Sequence, residues 1–120
     1  MKTELWTFRV DVLGDTTTMP DLTGFHIEAR DGSIGKVDEA TKETGRSWLV
    51  VDTGPWIFGR KVMIPAGTIT KIDHENHKVF VSLTKDQIKN SPEFDERRFD
   101  DEYRTRLGEY YDRTGWSHAA

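Results

Sequence analysis

Cysteine is absent from this chain of 120 residues. Its absence excludes disulfides, thiolate zinc sites and thiol nucleophiles. No apolar run approaches the roughly 18 residues that predict a membrane span. The opening segment MKTELWTFRVDV also lacks the uninterrupted apolar stretch of a signal peptide. We therefore expect a cytoplasmic protein with no membrane span.

The chain also lacks a concentrated stretch of positive charge. Its 17 lysines and arginines are dispersed among 21 acidic residues, which gives a formal net charge of -4. A protein that binds nucleic acid by neutralising phosphates usually carries a basic patch. Nucleic acid is therefore a disfavoured partner, and the length predicts a single domain.

No motif for catalysis or for a bound cofactor emerges from the residues that are present. No serine lies in the Gly-x-Ser-x-Gly elbow of a hydrolase. A strand rather than a helix follows Gly32 and Gly35, which is typical of a hairpin and not of a phosphate loop. The best metal candidate, HENH at residues 74–77, is typical of an exposed turn and offers no third strong ligand. We predict that the protein is not an enzyme and carries no cofactor or metal.

Short strand patterns separated by turn signals run through the middle of the chain. Asp31-Gly32 is a strong hairpin signal because both residues tolerate positive φ, and Pro65 is expected to close a strand or lie at a sheet edge. This spacing predicts an antiparallel barrel or sandwich. The runs LVV at 49–51 and VFV at 79–81 are expected to be buried on both faces or at a barrel seam. The six predicted strand segments are GFHIEA, IGKVDEAT, SWLVVD, KVMIP, TITKID and KVFVSL.

The two ends of the chain carry different patterns. Near the N-terminus, apolar side chains alternate with polar ones, which predicts a half-buried strand. It could add to a sheet edge, pair between subunits or remain loose, and the exposed aromatics favour pairing. Thr84 to Gln87 have the form of a capping box, which predicts a short helix limited by Pro92. An apolar stripe at every fourth residue predicts a second helix. The alternating residues are Trp6, Phe8, Val10 and Val12, and those of the stripe are Phe99, Tyr103, Leu107 and Tyr111.

The strand segments within residues 21–83 follow a distinctive order. They read DLTGFHIEARDGSIGKVDEA and then WLVVDTGPWIFGRKVMIPAGTITKID. This ordered set resembles the PRC-barrel family, which is named for the cytoplasmic domain of the photosynthetic reaction-centre H subunit. The family also includes the C-terminal domain of a bacterial ribosome-maturation factor. The continuation TKDQIKNSPEFD, with the later LGEYY, is similar to the tail of small stand-alone bacterial members.

The resemblance implies a mainly β fold, namely a small six-stranded antiparallel PRC-type β-barrel with one or two C-terminal α-helices. It implies a binding or assembly module, with no catalytic motif to carry over. It also divides the chain into three parts. These are an N-terminal extension with a possible edge strand at 1–20, a PRC-barrel at 21–83 and a C-terminal helical extension at 84–120.

Between the third and fourth predicted strands lies TGPWIFGR, a turn-forming segment with three large apolar side chains. Phe58 is expected to fold inward and close an open end of the barrel. An alternating loop cannot turn all three inward, so Trp56 and Ile57 are expected to stay partly exposed and anchor a partner. Symmetric homodimers are the commonest oligomers, which favours a second copy. The candidate interface residues are Trp56, Ile57, Phe58, Trp6, Phe8, Tyr103 and Tyr111.

Together these patterns predict a non-catalytic interaction or scaffold module in a bacterial cytoplasm. We expect it to be a homodimer, and the sequence does not identify any other protein partner. Three alternatives stay open. They are an RNA- or ribosome-associated assembly factor module, a photosynthetic reaction-centre-related accessory protein, and a small-ligand or metal-binding barrel.

Overall fold

The structure, a computed structural model, describes residues 3–6, 21–40, 47–54, 60–95 and 100–114, and all structural statements concern these residues. They form six β-strands, two α-helices and two short 3-10 turns. The strands are β1 (His26–Ala29), β2 (Gly32–Ala40), β3 (Trp48–Asp52), β4 (Lys61–Pro65), β5 (Ile69–Asp73) and β6 (Lys78–Val81). The helices are α1 (Lys85–Lys89) and α2 (Asp101–Thr114), and the 3-10 turns are η1 (Thr3–Trp6) and η2 (Ala66–Thr68).

All six strands belong to one sheet, in the order β4-β3-β2-β1-β6-β5. Strands β1 to β4 pair antiparallel with their neighbours in sequence, as do β5 and β6, but β1 and β6 are parallel. The prediction of a mainly β, six-stranded fold is confirmed. The all-antiparallel prediction is wrong. The closed barrel is also wrong for the described residues, because the edge strands β4 and β5 do not pair with each other.

Turns determine only part of this arrangement. A hairpin turn, such as the one between β1 and β2, imposes antiparallel pairing on the two strands that it joins. The three residues of η2 also join two strands, β4 and β5, but these lie at opposite edges of the sheet. Strands β1 and β6 are far apart in the chain, so no turn fixes their relative direction. Their pairing places Ile27 beside Val79, and both side chains are fully buried. Core packing therefore sets the parallel contact, and the turn signals of the sequence do not report it.

A close approach between β2 and β3 requires glycine at position 35. Bulges in the β1–β2 and β2–β3 pairs interrupt the ladder and bend the sheet. Between these bulges Gly35 has a φ of 149°. A Cβ atom at this position would lie 2.1 Å from the carbonyl oxygen of Asp52. Any other residue at position 35 would therefore push the two strands apart.

Strands β3 and β6 differ in the burial of their two faces. Residues 48–51 are all buried, so both faces of β3 are covered, as predicted for the LVV run. In β6, Val79 and Val81 are buried, but Phe80 between them is only half-buried. The prediction for the VFV run is therefore wrong at Phe80, because only one face of β6 meets the core.

The predicted capping box at the start of α1 is confirmed. The Oγ1 atom of Thr84 accepts a hydrogen bond from the backbone N–H of Gln87 at 3.1 Å, and the N–H of Thr84 donates to Oε1 of Gln87 at 2.8 Å. The carboxylate of Asp31, in the β1–β2 turn, accepts from the N–H of Lys85 at 2.8 Å. The first turn of α1 is thus held both by its own cap and by the hairpin.

Helix α2 presents its predicted stripe to the core. Tyr103, Leu107 and Tyr111 are buried in the same hydrophobic cluster as the strands, while the predicted stripe residue Phe99 lies outside the described residues. The hydroxyl of Tyr110 donates to the carbonyl of Gln87 at 2.7 Å. The two helices therefore contact each other as well as the sheet.

Arg60 connects the entrance of β4 to the end of α1. Its Nη1 and Nη2 atoms donate to the carbonyl oxygens of Lys89 and Ser91, each at 2.9 Å. A cation is favourable at the C-terminal end of a helix, where the last carbonyls lack partners within the helix. Arg60 thereby stabilises α1 against its own sheet.

The 3-10 turn η1 packs between α2 and β3. The ring of Trp6 contacts the ring of Trp48 edge to face, with centroids 6.1 Å apart. The backbone carbonyl of Trp6 accepts a hydrogen bond from the N–H of Ser47 at 2.8 Å. A Cβ atom on Gly108 would lie 3.6 Å from Leu5, so α2 passes close to η1. The prediction of a strand is wrong at Trp6, and the rest of that predicted strand lies outside the described residues.

Candidate functional site

The candidate interface predicted from sequence divides into three groups in the structure. Tyr103 and Tyr111 are 3% and 0% exposed within the chain's own core, and burial raises the pKa of both above the usual tyrosine value. They therefore offer a partner almost no surface. Trp6 is half-buried against Trp48. The remaining four residues, Trp56, Ile57, Phe58 and Phe8, lie outside the described residues.

One side of the sheet, which we call the outer face, can be followed across the strands by register. Trp48, Val50 and Asp52 alternate with buried residues of the opposite side and share one face of β3. Asp52 is paired with Lys36 on β2. Lys36 is in turn paired with His26 on β1. The outer face therefore runs from Trp48 on β3 to His26 and beyond.

The chain covers this outer face over β3. The ring of Trp48 contacts Trp6 of η1, and the guanidinium of Arg104 in α2 lies 5.1 Å from the centroid of the Trp48 ring. Val50, two residues along the strand, is 3% exposed, and its cross-strand partner Met63 is 1% exposed. We call the outer face of β3 and β4 the covered half.

Over β1, β6 and β5 the outer face carries polar and charged side chains in a row. His26 on β1 is paired with Lys78 on β6, which is paired with Asp73 on β5. With Asp52 and Lys36, these residues form one cross-strand line, which we call the charged row. Neighbouring strands lie about 4.8 Å apart, so Lys36 and Lys78 are separated by about 10 Å with His26 between them.

A second row on the same face contains the aromatic ring of Phe80. Phe80 is paired with Glu28 on β1 and with Lys71 on β5. The Nζ atom of Lys71 lies 5.7 Å from the centroid of the Phe80 ring, a distance typical of a cation–π contact. We call the part of the outer face that carries these two rows the open face. It consists of His26, Glu28, Lys36, Lys71, Lys78 and Phe80.

The two carboxylates at the ends of the charged row are already engaged by turns. Oδ1 of Asp52 accepts from the N–H of Gly54 at 2.9 Å. The carboxylate of Asp73 accepts from the backbone N–H and from Nδ2 of Asn76 at 3.1 and 2.9 Å. The side-chain and backbone hydrogen bonds from Asn76 lower the pKa of Asp73. Both carboxylates are therefore held at the margins of the row and do not reach its centre.

The two lysines of the charged row lie opposite aspartates but form no close ion pair within the described ranges. Lys61, at the far edge of the sheet, forms an ion pair with Asp38 at 2.9 Å. Lys36 and Lys78 form no such pair with any described residue. With Asp52, Asp73 and Glu28 counted beside Lys36, Lys71 and Lys78, the two rows carry equal numbers of acidic and basic side chains.

A groove of about 350 Å³ adjoins the charged row between β2 and the end of β3. It is lined by His26, Gly35, Lys36, Asp52, Thr53 and Gly54. Thr53, also at the groove, donates from its hydroxyl to the carbonyl of Arg60 at 2.6 Å. The groove extends the open face toward the end of β3 and has room for a side chain of a ligand or partner.

The turn at residues 74–77 packs beside the same end of the sheet. The ring centroids of His74 and His77 lie 6.1 and 5.0 Å from that of Phe25, both edge to face. His77 adopts a φ of 55°, which closes the turn between β5 and β6. Among the described residues, no group of three histidines or acids is arranged to hold a metal ion. These rings therefore pack on Phe25 rather than converge on a common point.

Sequence reasoning missed the residues of the open face. The alternation in HIEA and KVFV could have placed His26, Phe80 and Lys78 on one side of their strands. It could not have placed the two strands next to each other, because β1 and β6 are distant in sequence and parallel. The missing information was the pairing partner, and only the fold supplies it.

Comparisons with known proteins identify no family for this chain. No protein-family model matches the chain, and no curated protein matches it. The resemblance to the PRC-barrel family thus stays a prediction from the residue pattern. In the part of the chain that the structure describes, neither helix is long and apolar enough to cross a lipid bilayer.

Proposed function

We propose that this chain is a non-catalytic interaction module of the PRC-barrel kind, and that its open face receives a protein partner. One observation carries this proposal. The chain covers the outer face of β3 with its own helix and 3-10 turn, but leaves Phe80 half-buried among lysines over β6.

The position of Phe80 suits an anchor for a partner. Its backbone is fixed by pairing on both sides, and Lys71 already lies over its ring. Aromatic residues held in this way lose little conformational entropy on binding and often provide a large share of the binding energy. The surrounding lysines form a polar rim, which is the usual arrangement around such an anchor.

The proposed kinship with the PRC-barrel family rests on the ordered residue pattern. Residues of that pattern also lie at positions that the fold constrains. The Asp31-Gly32 signal falls at the β1–β2 turn, and Gly35 lies where β2 approaches β3. The pattern thus coincides with positions where the backbone restricts residue choice. The open, mixed sheet of the described residues departs from the closed antiparallel barrel that the resemblance implies.

The surroundings of the histidines favour binding over acid–base catalysis. An enzyme of the triad type needs a base that is hydrogen-bonded to a nucleophile and oriented by a third group. Within the described part of the chain, the side chains of His26, His74 and His77 make no hydrogen bond. None of the three is therefore oriented as a catalytic base.

Native mass measured over a range of concentrations tests the proposal, with wild type compared with Phe80→Ser. If the open face mediates the predicted self-association, the wild type dimerises and Phe80→Ser shifts the equilibrium toward monomer. Thr105→Ser, an exposed change on α2, is the control and should leave association unchanged. A wild-type chain that stays monomeric and retains the same interacting proteins after Phe80→Ser would refute the proposal.

A further inference from the structure

We infer that the outer edge of β5 pairs with the β5 edge of a second copy of this chain. The pairing is antiparallel and centred on Ile72, so that Lys71 of each chain lies opposite Asp73 of the other. This inference goes beyond the proposed function, because it concerns the edge of the sheet and not the open face. It follows from the place of β5 in the sheet, the burial of its residues and the order of its charges.

Strand β5 is the more accessible of the two edge strands. In the sheet of the described residues, only β6 pairs with β5. An edge strand carries backbone N–H and C=O groups that point away from the sheet, and a strand of another chain can add to them. The other edge strand, β4, is buried from Val62 to Pro65, and Pro65 has no N–H to donate. Residues 70–73 of β5 are instead half-buried or exposed.

Ile72 is an apolar side chain at this edge that the chain covers only in part. It is paired with the fully buried Val79 of β6 and packs on the core, yet it is itself half-buried. In a pair centred on Ile72, the two copies of this side chain lie opposite each other, with Cβ atoms about 5 Å apart. Their contact removes apolar surface of both chains from water, which favours association. A second copy therefore presents a matching apolar side chain at this position.

The charges on either side of Ile72 favour this register. Lys71 and Asp73 both lie on the outer face of β5. In a symmetric pair centred on Ile72, each lysine lies opposite the aspartate of the other copy, and the two-fold axis repeats the contact. A pair centred on residue 71 would oppose two lysines, and one centred on residue 73 would oppose two aspartates. Like charges directly opposite each other destabilise a sheet, so the order Lys-Ile-Asp selects the central register.

Both charged groups can reach this contact. Lys71 is exposed, and its Nζ atom lies on the outer face, 5.7 Å from the centroid of the Phe80 ring. Each carboxylate oxygen of Asp73 accepts one hydrogen bond from Asn76, at 3.1 and 2.9 Å, and can accept a second. Alternate residues of one strand are about 7 Å apart, farther than residues directly opposite each other on neighbouring strands. Lys71 would therefore lie nearer to Asp73 of the second copy than to Asp73 of its own chain.

Sedimentation equilibrium of the full chain tests the inference with two charge reversals, Lys71→Glu and Asp73→Lys. Each variant alone places like charges opposite each other and should weaken self-association by about tenfold, since the symmetric dimer contains the contact twice. A mixture of the two variants should recover wild-type association, because the mixed dimer has opposite charges at both contacts. Lys89→Glu, at an exposed position of α1, is the matched control and should change association by less than about twofold.

The mixture separates a lost contact from a disturbed fold. Asp73→Lys also removes the hydrogen bonds from Asn76, and the other variant would not repair damage to that turn. Lys71→Glu leaves the turn intact, so its comparison with Lys89→Glu decides the question even if Asp73→Lys fails to fold. Circular dichroism verifies the fold of each variant.

Three results would overturn the inference. The first is a wild-type chain that stays monomeric, the second is reversals that weaken association no more than Lys89→Glu, and the third is a mixture that associates no better than its components. If Phe80→Ser abolishes self-association while both reversals behave like the control, the edge pairing falls and the proposed function stands. If the reversals act as expected and Phe80→Ser leaves the mass unchanged, the edge pairing stands and the open face loses its part in self-association.

Discussion

The covered half and the open face belong to the same sheet and share the same core on its inner side, yet they meet different surroundings. On the covered half, Trp48 lies beneath η1 and α2, and Val50 beside it is buried. On the open face, Phe80 is half-buried and the lysines around it are exposed. Among the described residues, those near the two ends of the chain, η1 and α2, pack on the β3 half of the outer face. The other half, which η1 and α2 do not cover, is where we place the function.

The largest expected difference between the two halves comes from introducing the same charge on each. Val50→Lys should reduce the free energy of unfolding by more than about 3 kcal/mol, because it buries an unpaired cation. Phe80→Lys should reduce it by about 1 kcal/mol or less, since the new cation stays in water. Urea denaturation of both variants measures the two values. Equal losses would mean that the two halves are covered alike.

A second test concerns how α1 is held on the sheet. Arg60→Ala removes both hydrogen bonds from the guanidinium and leaves the carbonyls of Lys89 and Ser91 without their partner. We expect a loss of about 2 kcal/mol in the free energy of unfolding, because the lost donor is charged and the site is partly buried. Arg113→Ala, an exposed change, is the control and should stay within about 0.5 kcal/mol. A loss at Arg60 no larger than the control would show that α1 does not depend on this contact.

The close passage of α2 over η1 gives a prediction with the opposite sign. A Cβ atom at Gly108 would lie 3.6 Å from Leu5 and 3.7 Å from Trp6, which is ordinary van der Waals contact. Gly108→Ala should therefore stabilise the protein by about 0.5–1 kcal/mol, because alanine favours the helix and fits the space. Thermal unfolding measures the change. A destabilised variant would mean that η1 lies closer to α2 and that the covered half is more tightly packed.

The smallest expected change in stability comes from the loop predicted from sequence to anchor a partner. Trp56→Asp should leave the free energy of unfolding nearly unchanged and should weaken self-association, if Trp56 is an exposed anchor. Native mass and urea denaturation on the same sample separate the two effects. A variant that simply unfolds would assign Trp56 to the core and leave the open face as the main candidate surface.

Local patterns in the sequence were sufficient for the elements that neighbouring residues determine. The capping box from Thr84 to Gln87 is formed as predicted, since its hydrogen bonds join residues three apart. The Asp31-Gly32 signal marks the β1–β2 turn. The stripe of Tyr103, Leu107 and Tyr111 faces the core because a helix brings every fourth residue to one side. The stripe shows only that one side of the helix is apolar. It could not show whether that side contacts a partner or the core of the chain itself.

The sequence by itself determined the six strands, the β1–β2 turn, the cap of α1 and the apolar stripe of α2, because these depend on residues close together in the chain. Only the tertiary structure decided that β6 pairs with β1 in parallel, which half of the outer face α2 and η1 cover, and that Lys36, His26 and Lys78 form one row. Contacts of this kind join residues that are distant in sequence, and packing of the whole core selects among them. A pattern read along the chain records which face of a strand is apolar, but not which strand lies beside it.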